Sequence, residues 1–402
     1  MSKVQEKYQI SPIFVFFLIH GAQFGAGVLG FARIIAKAAG YDGWIGVLLT
    51  GIIIHILIWM MYYSLKNTEG NLIDLHKQIF GKWIGNGISL IFMAYFFIVS
   101  ISVVRTYVEI IQVWMFPSAS TWMLTFFLCL ISYYIISSGF RVITGICVIS
   151  VGGTLGYLFL SLFILKFSHW DNLLPMFSHS FTDILKAAQL SIYSMTGFEI
   201  FLMVYPFVKE PEKSHKFAQY GALFSNFLYL FSTILAFTFF SEKQLLKTIW
   251  SQLSMTQVIK LPFIERLEYI AISGYALVII TSFILPLWAA TRGTHEIFRV
   301  KQRGILIAFM LITLVVSQLL TNRHDINDFI SNTSKVSFWL IYVYIPILFI
   351  IVWVKKMEKT KRKLILLICI SVFSLTGCLQ KILLMMFSSF KELPSIQQKI
   401  IK

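Results

Sequence analysis

Gly21-Ala-Gln-Phe-Gly-Ala-Gly-Val-Leu-Gly30 sits in the middle of the first long apolar run, residues 12–36. It puts four glycines into ten residues. In a helix each glycine costs roughly 1 kcal/mol against alanine. Two readings follow. Glycines let membrane helices pack closely. Alternatively the helix is broken: Gly25, Ala26, Gly27 and Val28 unwind, and their freed backbone groups line a ligand cavity at mid-membrane. The two readings part on whether a second interrupted helix stands at the matching place in another half of the chain.

The chain has 402 residues, of which 57% are hydrophobic and 13% charged, with a mean hydropathy of +0.78. A soluble domain carries about 25% charged residues. Many apolar runs reach the ~20 residues needed to cross ~30 Å of hydrocarbon. These values establish an all-α polytopic membrane protein. The net charge of +16 does not point to nucleic acid, because the basic residues lie in short loops between apolar runs. The four cysteines, Cys129, Cys147, Cys369 and Cys378, lie in apolar segments without metal-ligand spacing, so neither a metal site nor a disulfide framework is expected. The polar start, Met1 to Gln9, leads into a run without a small-residue cleavage site, read as a retained first span. No H-E-x-x-H, G-x-S-x-G or P-loop occurs, and no enzyme or cofactor is expected.

Ten spans are expected: 12–36, 44–63, 84–113, 122–138, 142–165, 187–208, 217–240, 267–290, 304–320 and 336–354. Loop Lys and Arg favour a cytoplasmic N-terminus by about two to one, with both ends of the ten-span body on that side. Ten spans divide as five plus five. Five is odd, so the second set runs inverted to the first, and the sixth span partners the first. It reads Gln189-Leu-Ser-Ile-Tyr-Ser-Met-Thr-Gly-Phe-Glu-Ile-Phe-Leu-Met-Val-Tyr-Pro206. Ser194, Thr196 and Gly197 are weak helix formers, Glu199 is ionisable, and Pro206 stops the helix. Paired interrupted helices point to a transporter-type central site. In the loop 241–266, Gln244 to Lys260 is expected as a short surface helix.

Ionisable residues within apolar runs are functional candidates, because burying them unpaired costs a few kcal/mol. Arg105 and Glu109, four apart on the third span, are expected to pair with each other. Arg33 is expected to snorkel at the end of the first span. Glu199 has no basic neighbour at i±3 or i±4, so its partner comes from another span, freed N–H groups or a ligand ammonium. His20 and His55 read as hydrogen-bonded packing residues. Thr281 and Ser282 precede Pro286; their hydroxyls either satisfy carbonyls freed by the proline or line the cavity.

The Gly25-Ala-Gly-Val-Leu29 break and the Gly197-Phe-Glu-Ile200…Tyr205-Pro206 element together resemble the B subunits of bacterial spore germinant receptors. These GerAB-like proteins are a branch of the amino acid–polyamine–organocation superfamily, and the resemblance covers about residues 5 to 355. It implies a LeuT-like fold and a receptor in the spore inner membrane, or bacterial cytoplasmic membrane, for a small-molecule germinant such as an amino acid. It also implies a germinant-receptor A subunit and a lipoprotein C subunit as partners. The expected ligand site comprises Gly25, Ala26, Gly27, Val28, Ser194, Thr196, Gly197, Glu199, Thr281 and Ser282. An amino-acid permease of the same superfamily is the alternative.

The tail, 357–402, reads as a separate unit after a 1–356 body. Met357-Glu-Lys-Thr-Lys-Arg-Lys363 is followed by an apolar core and by Leu375-Thr-Gly-Cys378, the layout of a lipoprotein signal peptide. The resemblance offers an account: the start of a C subunit read on in frame. The competing reading makes 364–387 an additional C-terminal membrane helix.

Overall fold

The computed structural model describes residues 4–66, 68, 70–260 and 266–357. In chain order its helices are α1 (Phe14–Gln23), α2 (Phe31–Ala39), α3 (Gly43–Lys66), α4 (Leu72–Phe80), α5 (Lys82–Trp114), α6 (Thr121–Ser137) and α7 (Phe140–Ile164). There follow α8 (Phe181–Ser194), α9 (Phe201–Val204), α10 (His215–Phe239), α11 (Glu242–Lys247), α12 (Ser251–Thr256), α13 (Leu267–Phe298), α14 (Gln302–Leu319), α15 (Arg323–Ser337) and α16 (Tyr344–Met357). Seven helical stretches among the described residues are long and apolar enough to cross a membrane. An eighth joins them if the pair Phe181–Ser194 and Phe198–Phe207, bent by 50°, is one span. The chain is a multi-pass membrane protein. Contacts divide it into two units, Met1–Phe349 and Ile350–Lys402.

All ten expected runs fall on helix, but three details differ. The last run starts much earlier than 336. Residues 323–335 read as polar, yet they form most of α15, and Arg323, Asn327 and Ser331 turn toward an internal cavity. Gln244 to Lys260 is not a single surface helix. The chain there folds as the two short helices α11 and α12, and Leu245, Ser251, Gln252, Leu253 and Met255 are buried. The expected Arg105–Glu109 pair is not formed. Glu109 pairs with Arg323, and Arg105 Nε donates to the Leu320 carbonyl at 2.7 Å. Residues four apart share a helix face, but the cation from α15 approaches that face and takes the carboxylate.

Close helix packing is achieved with glycines away from the breaks. A Cβ at Gly46 would lie 2.6 Å from the Ala188 amide of α8, and one at Gly221 2.6 Å from the Phe16 carbonyl of α1. The packing reading of membrane glycines therefore holds at these positions. α1 is surrounded by α7, α10 and α13. His20 on α1 bridges Ser225 of α10 at 2.9 Å and Thr154 of α7 at 3.0 Å, and it is fully buried.

Just before α1 the chain runs beside the segment that follows α9. The Ile10 amide donates to the Phe207 carbonyl at 2.8 Å, and the Lys209 amide donates to the Ile10 carbonyl at 3.0 Å. Glu6 and Lys209 form an ion pair at 2.7 Å alongside. The tail beyond Met357, including the lipoprotein-like stretch and the 364–387 run, lies outside the described residues.

Candidate functional site

Helix 1 is broken where the glycines predict. α1 stops at Gln23, Phe24 is extended, Gly25 takes φ −146° and ψ −153°, and a 3-10 turn over Ala26–Gly30 leads into α2. A break strands carbonyls, and each carbonyl stranded in a membrane needs a donor. Three hydroxyls from neighbouring helices supply three of these carbonyls. Thr281 Oγ1 donates to Gly21 at 2.9 Å, Tyr275 to Gly25 at 3.0 Å, and Tyr229 reaches Gln23 at 3.2 Å. The stranded donors are different: the amides of Ala26 and Gly27 meet no protein acceptor among the described residues. The backbone is also tightly flanked. A Cβ at Gly25 would lie 2.7 Å from Ser282 Oγ, and one at Gly27 3.1 Å from Ser194 Cβ.

Helix 6 breaks between α8 and α9. Gly197 has φ +118°, where side-chain-bearing residues are strained, and a Cβ there would lie 2.2 Å from the Ala22 carbonyl oxygen. The two breaks thus touch backbone to backbone. Glu199, 2% exposed, folds back on its own break. Its Oε2 accepts the Gly197 N–H at 2.7 Å and its Oε1 accepts the Tyr95 hydroxyl at 2.9 Å. The Thr196 hydroxyl donates to the Tyr193 carbonyl at 2.6 Å, and the Tyr229 hydroxyl also meets the Ser194 carbonyl. Tyr229 has one proton, so it can satisfy only one of the two breaks fully at a time.

A cavity of about 520 Å³ lies between the breaks. Of the residues expected at a ligand site, Gly25, Ala26, Gly27, Ser194, Thr196, Gly197, Glu199 and Ser282 line it. Val28 does not; it is fully buried in packing. Thr281 does not either, because its hydroxyl is directed to Gly21 and Val278. Sequence reading missed Tyr193, Tyr229, Trp250, Arg323, Asn327 and Ser331 in the lining. The last three polar residues were findable, since a spacing of four marks one helix face. Tyr229, in a run rich in Phe, carries no such signal. Arg33 also reaches the cavity, with Nε donating to the Leu246 carbonyl at 2.8 Å.

The model of the family described as spore germination protein matches residues 9–326. The chain belongs to the spore germination protein family. It is 39% identical over 351 residues to spore germination protein GerQB of Bacillus cereus, covering 87% of this chain and 98% of that one. Spore germination protein A2 of Bacillus subtilis is 24% identical over 371 residues, 90% of this chain and all of that one. Two solved structures share the architecture. One is a Na+-coupled sialic acid symporter in a substrate-bound outward-open state, with a TM-score of 0.60 and 11% identity over 85% of this chain and 82% of that one. The other is MhsT in complex with L-phenylalanine, with a TM-score of 0.58 and 12% identity over 86% of this chain and 88% of that one. The fold of this spore germination protein is therefore LeuT-like, as the resemblance implied.

Proposed function

We propose that this chain is the germinant-binding subunit of a spore germinant receptor. It crosses the membrane ten times with a cytoplasmic N-terminus and takes a small zwitterion, such as an amino acid, between its two breaks. The ligand carboxylate meets the free amides of Ala26 and Gly27. These amides open the second half of helix 1, where the helix dipole favours an anion. The ligand ammonium meets Glu199, each of whose oxygens keeps accepting capacity beyond its present bond. The observation that carries this reading is the helix 1 break itself: its Gly21, Gln23 and Gly25 carbonyls meet protein hydroxyls, while the amides of Ala26 and Gly27 meet no protein acceptor among the described residues. The printed names of the relatives, all germination proteins, support the sensory role. The bound L-phenylalanine of MhsT supports the ligand class for the fold.

Occupancy favours one arrangement of the helices, and A-type and lipoprotein C-type partner subunits read it. The body that does this is 1–356, with 357–402 dispensable to it. Thermal shift of the purified chain against amino acids, sugars and nucleosides tests the ligand class: an amino acid is expected to raise the melting temperature, and stabilisation by nucleosides or sugars alone overturns that assignment. The permease reading is favoured by the transporter neighbours. It predicts saturable accumulation of radiolabelled amino acid in proteoliposomes containing this chain alone, whereas a receptor subunit retains ligand binding without accumulation.

A further inference from the structure

The cavity is electrically lopsided. Arg33, Lys37 and Arg323 line it, against a single lining carboxylate, Glu199, whose two oxygens are held by Gly197 and Tyr95. Behind the wall, between the lining residues Ser102, Val103 and Thr106, α5 carries Arg105, only 3% exposed. Arg105 uses Nε on a carbonyl, and its buried Nη1 has no partner. Arg323 is shared between Glu109 and the face of Trp250, 5.1 Å from the ring, and its buried Nε has no partner either. Glu109 is the one carboxylate paired within this group. The α15 carboxylates, Asp325 and Asp328, are absent from the lining, and Asp328 pairs with His324.

Arg105, buried with an open N–H donor, and the half-buried Arg323, whose Nε is unpartnered, are costly as they stand. An anion relieves that cost, because planar guanidinium forks bind carboxylate and phosphate oxygens with charge-assisted hydrogen bonds. Resting on the zwitterion-binding reading above, we infer an anion subsite at Arg33 and Arg323 on the α15 side of the cavity, with the charge of Arg105 behind the wall, taking a second acidic group of the ligand. The ligand then bridges from the free amides at the helix 1 break to this arginine cluster. The favoured class is an amino acid with an acidic side chain.

The test uses the full chain in phosphatidylcholine nanodiscs, titrated calorimetrically with L-glutamate, L-glutamine, L-alanine and inorganic phosphate. Glutamate is expected to bind about tenfold more tightly than glutamine, the worth of one charge-assisted hydrogen bond, and the preference should shrink as salt is raised. Arg33→Gln is expected to bring the glutamate-to-glutamine ratio close to one. Should that variant fold poorly, the double variant Glu109→Gln/Arg323→Gln removes a cation without leaving its carboxylate unpaired, and it should lower the ratio likewise. Equal affinity for glutamate and glutamine overturns the subsite, as does a preference unaffected by either variant. A glutamate preference that disappears when phosphatidylglycerol is added assigns the cluster to a lipid headgroup and also overturns it. If no amino acid binds, the zwitterion reading fails by itself. Phosphate then decides the subsite: binding that Arg33→Gln abolishes supports it, and no phosphate binding overturns it.

Discussion

The two broken helices treat their stranded amides differently. At the helix 6 break the span's own Glu199 returns to the Gly197 amide, while Tyr229 of α10 reaches the Ser194 carbonyl. At the helix 1 break Tyr275 and Thr281 of α13 donate to the Gly25 and Gly21 carbonyls, while the amides of Ala26 and Gly27 meet no protein acceptor among the described residues. The first break therefore presents two unpaired donors among the described residues, and the sixth is braced by a carboxylate of its own span. On the proposed reading, a ligand anion belongs to helix 1. Glu199 serves two roles at once, holding its own backbone and offering negative charge to the cavity.

Gly197→Ala should break this contrast most severely. It combines φ +118° with a Cβ 2.2 Å from the Ala22 carbonyl, so the breaks cannot stay in contact; strain and displacement together should cost about 3 kcal/mol or more. Size-exclusion profile and melting temperature would register it, and a normally folded variant would show the contact to be expendable. Gly25→Leu comes next. Its side chain meets Ser282, costing about 1–3 kcal/mol of overpacking, and it obstructs the open amides. Ligand stabilisation should vanish while a destabilised fold remains; ligand response at wild-type strength would remove helix 1 from the site. Glu199→Gln should weaken ligand binding about tenfold, or ~1.4 kcal/mol. Glu109→Gln, which leaves Arg323 without its carboxylate, should chiefly lower the melting temperature. Calorimetry on both variants separates these roles, and equal losses of affinity would make Glu199 structural. Truncation after Lys356 should change least: both breaks and their ligand response should persist, and an unfolded product would refute the 1–356 body.

How much was legible in advance follows from what each residue's role depends on. The breaks announced themselves because their cause is local: Gly25, Gly27 and Gly197 are backbone requirements, and a backbone requirement is written at its own position. Partner choice is not local. Glu109 and Arg105 have the right spacing to pair, yet a cation 214 residues away from Glu109 in sequence takes the carboxylate. Thr281 had two roles open to it, and the approach of Gly21 gave it a third, donor to a carbonyl stranded by the helix 1 break. α15 was misjudged because polarity was read as loop. In a membrane a polar helical face can instead front a cavity, and Arg323, Asn327 and Ser331 are that case.

The short backbone ladder at Ile10 has a mechanical consequence. It joins the stretch entering α1 to the stretch leaving α9 by two main-chain hydrogen bonds, with the Glu6–Lys209 pair beside them. The first half of helix 1 and the second half of helix 6 are thereby geared together. A force that swings one drags the other, so these halves turn as a single lever. Any change in the width of the cavity then has to be made by the opposite halves, α2 and α8, pivoting at Gly25 and Gly197.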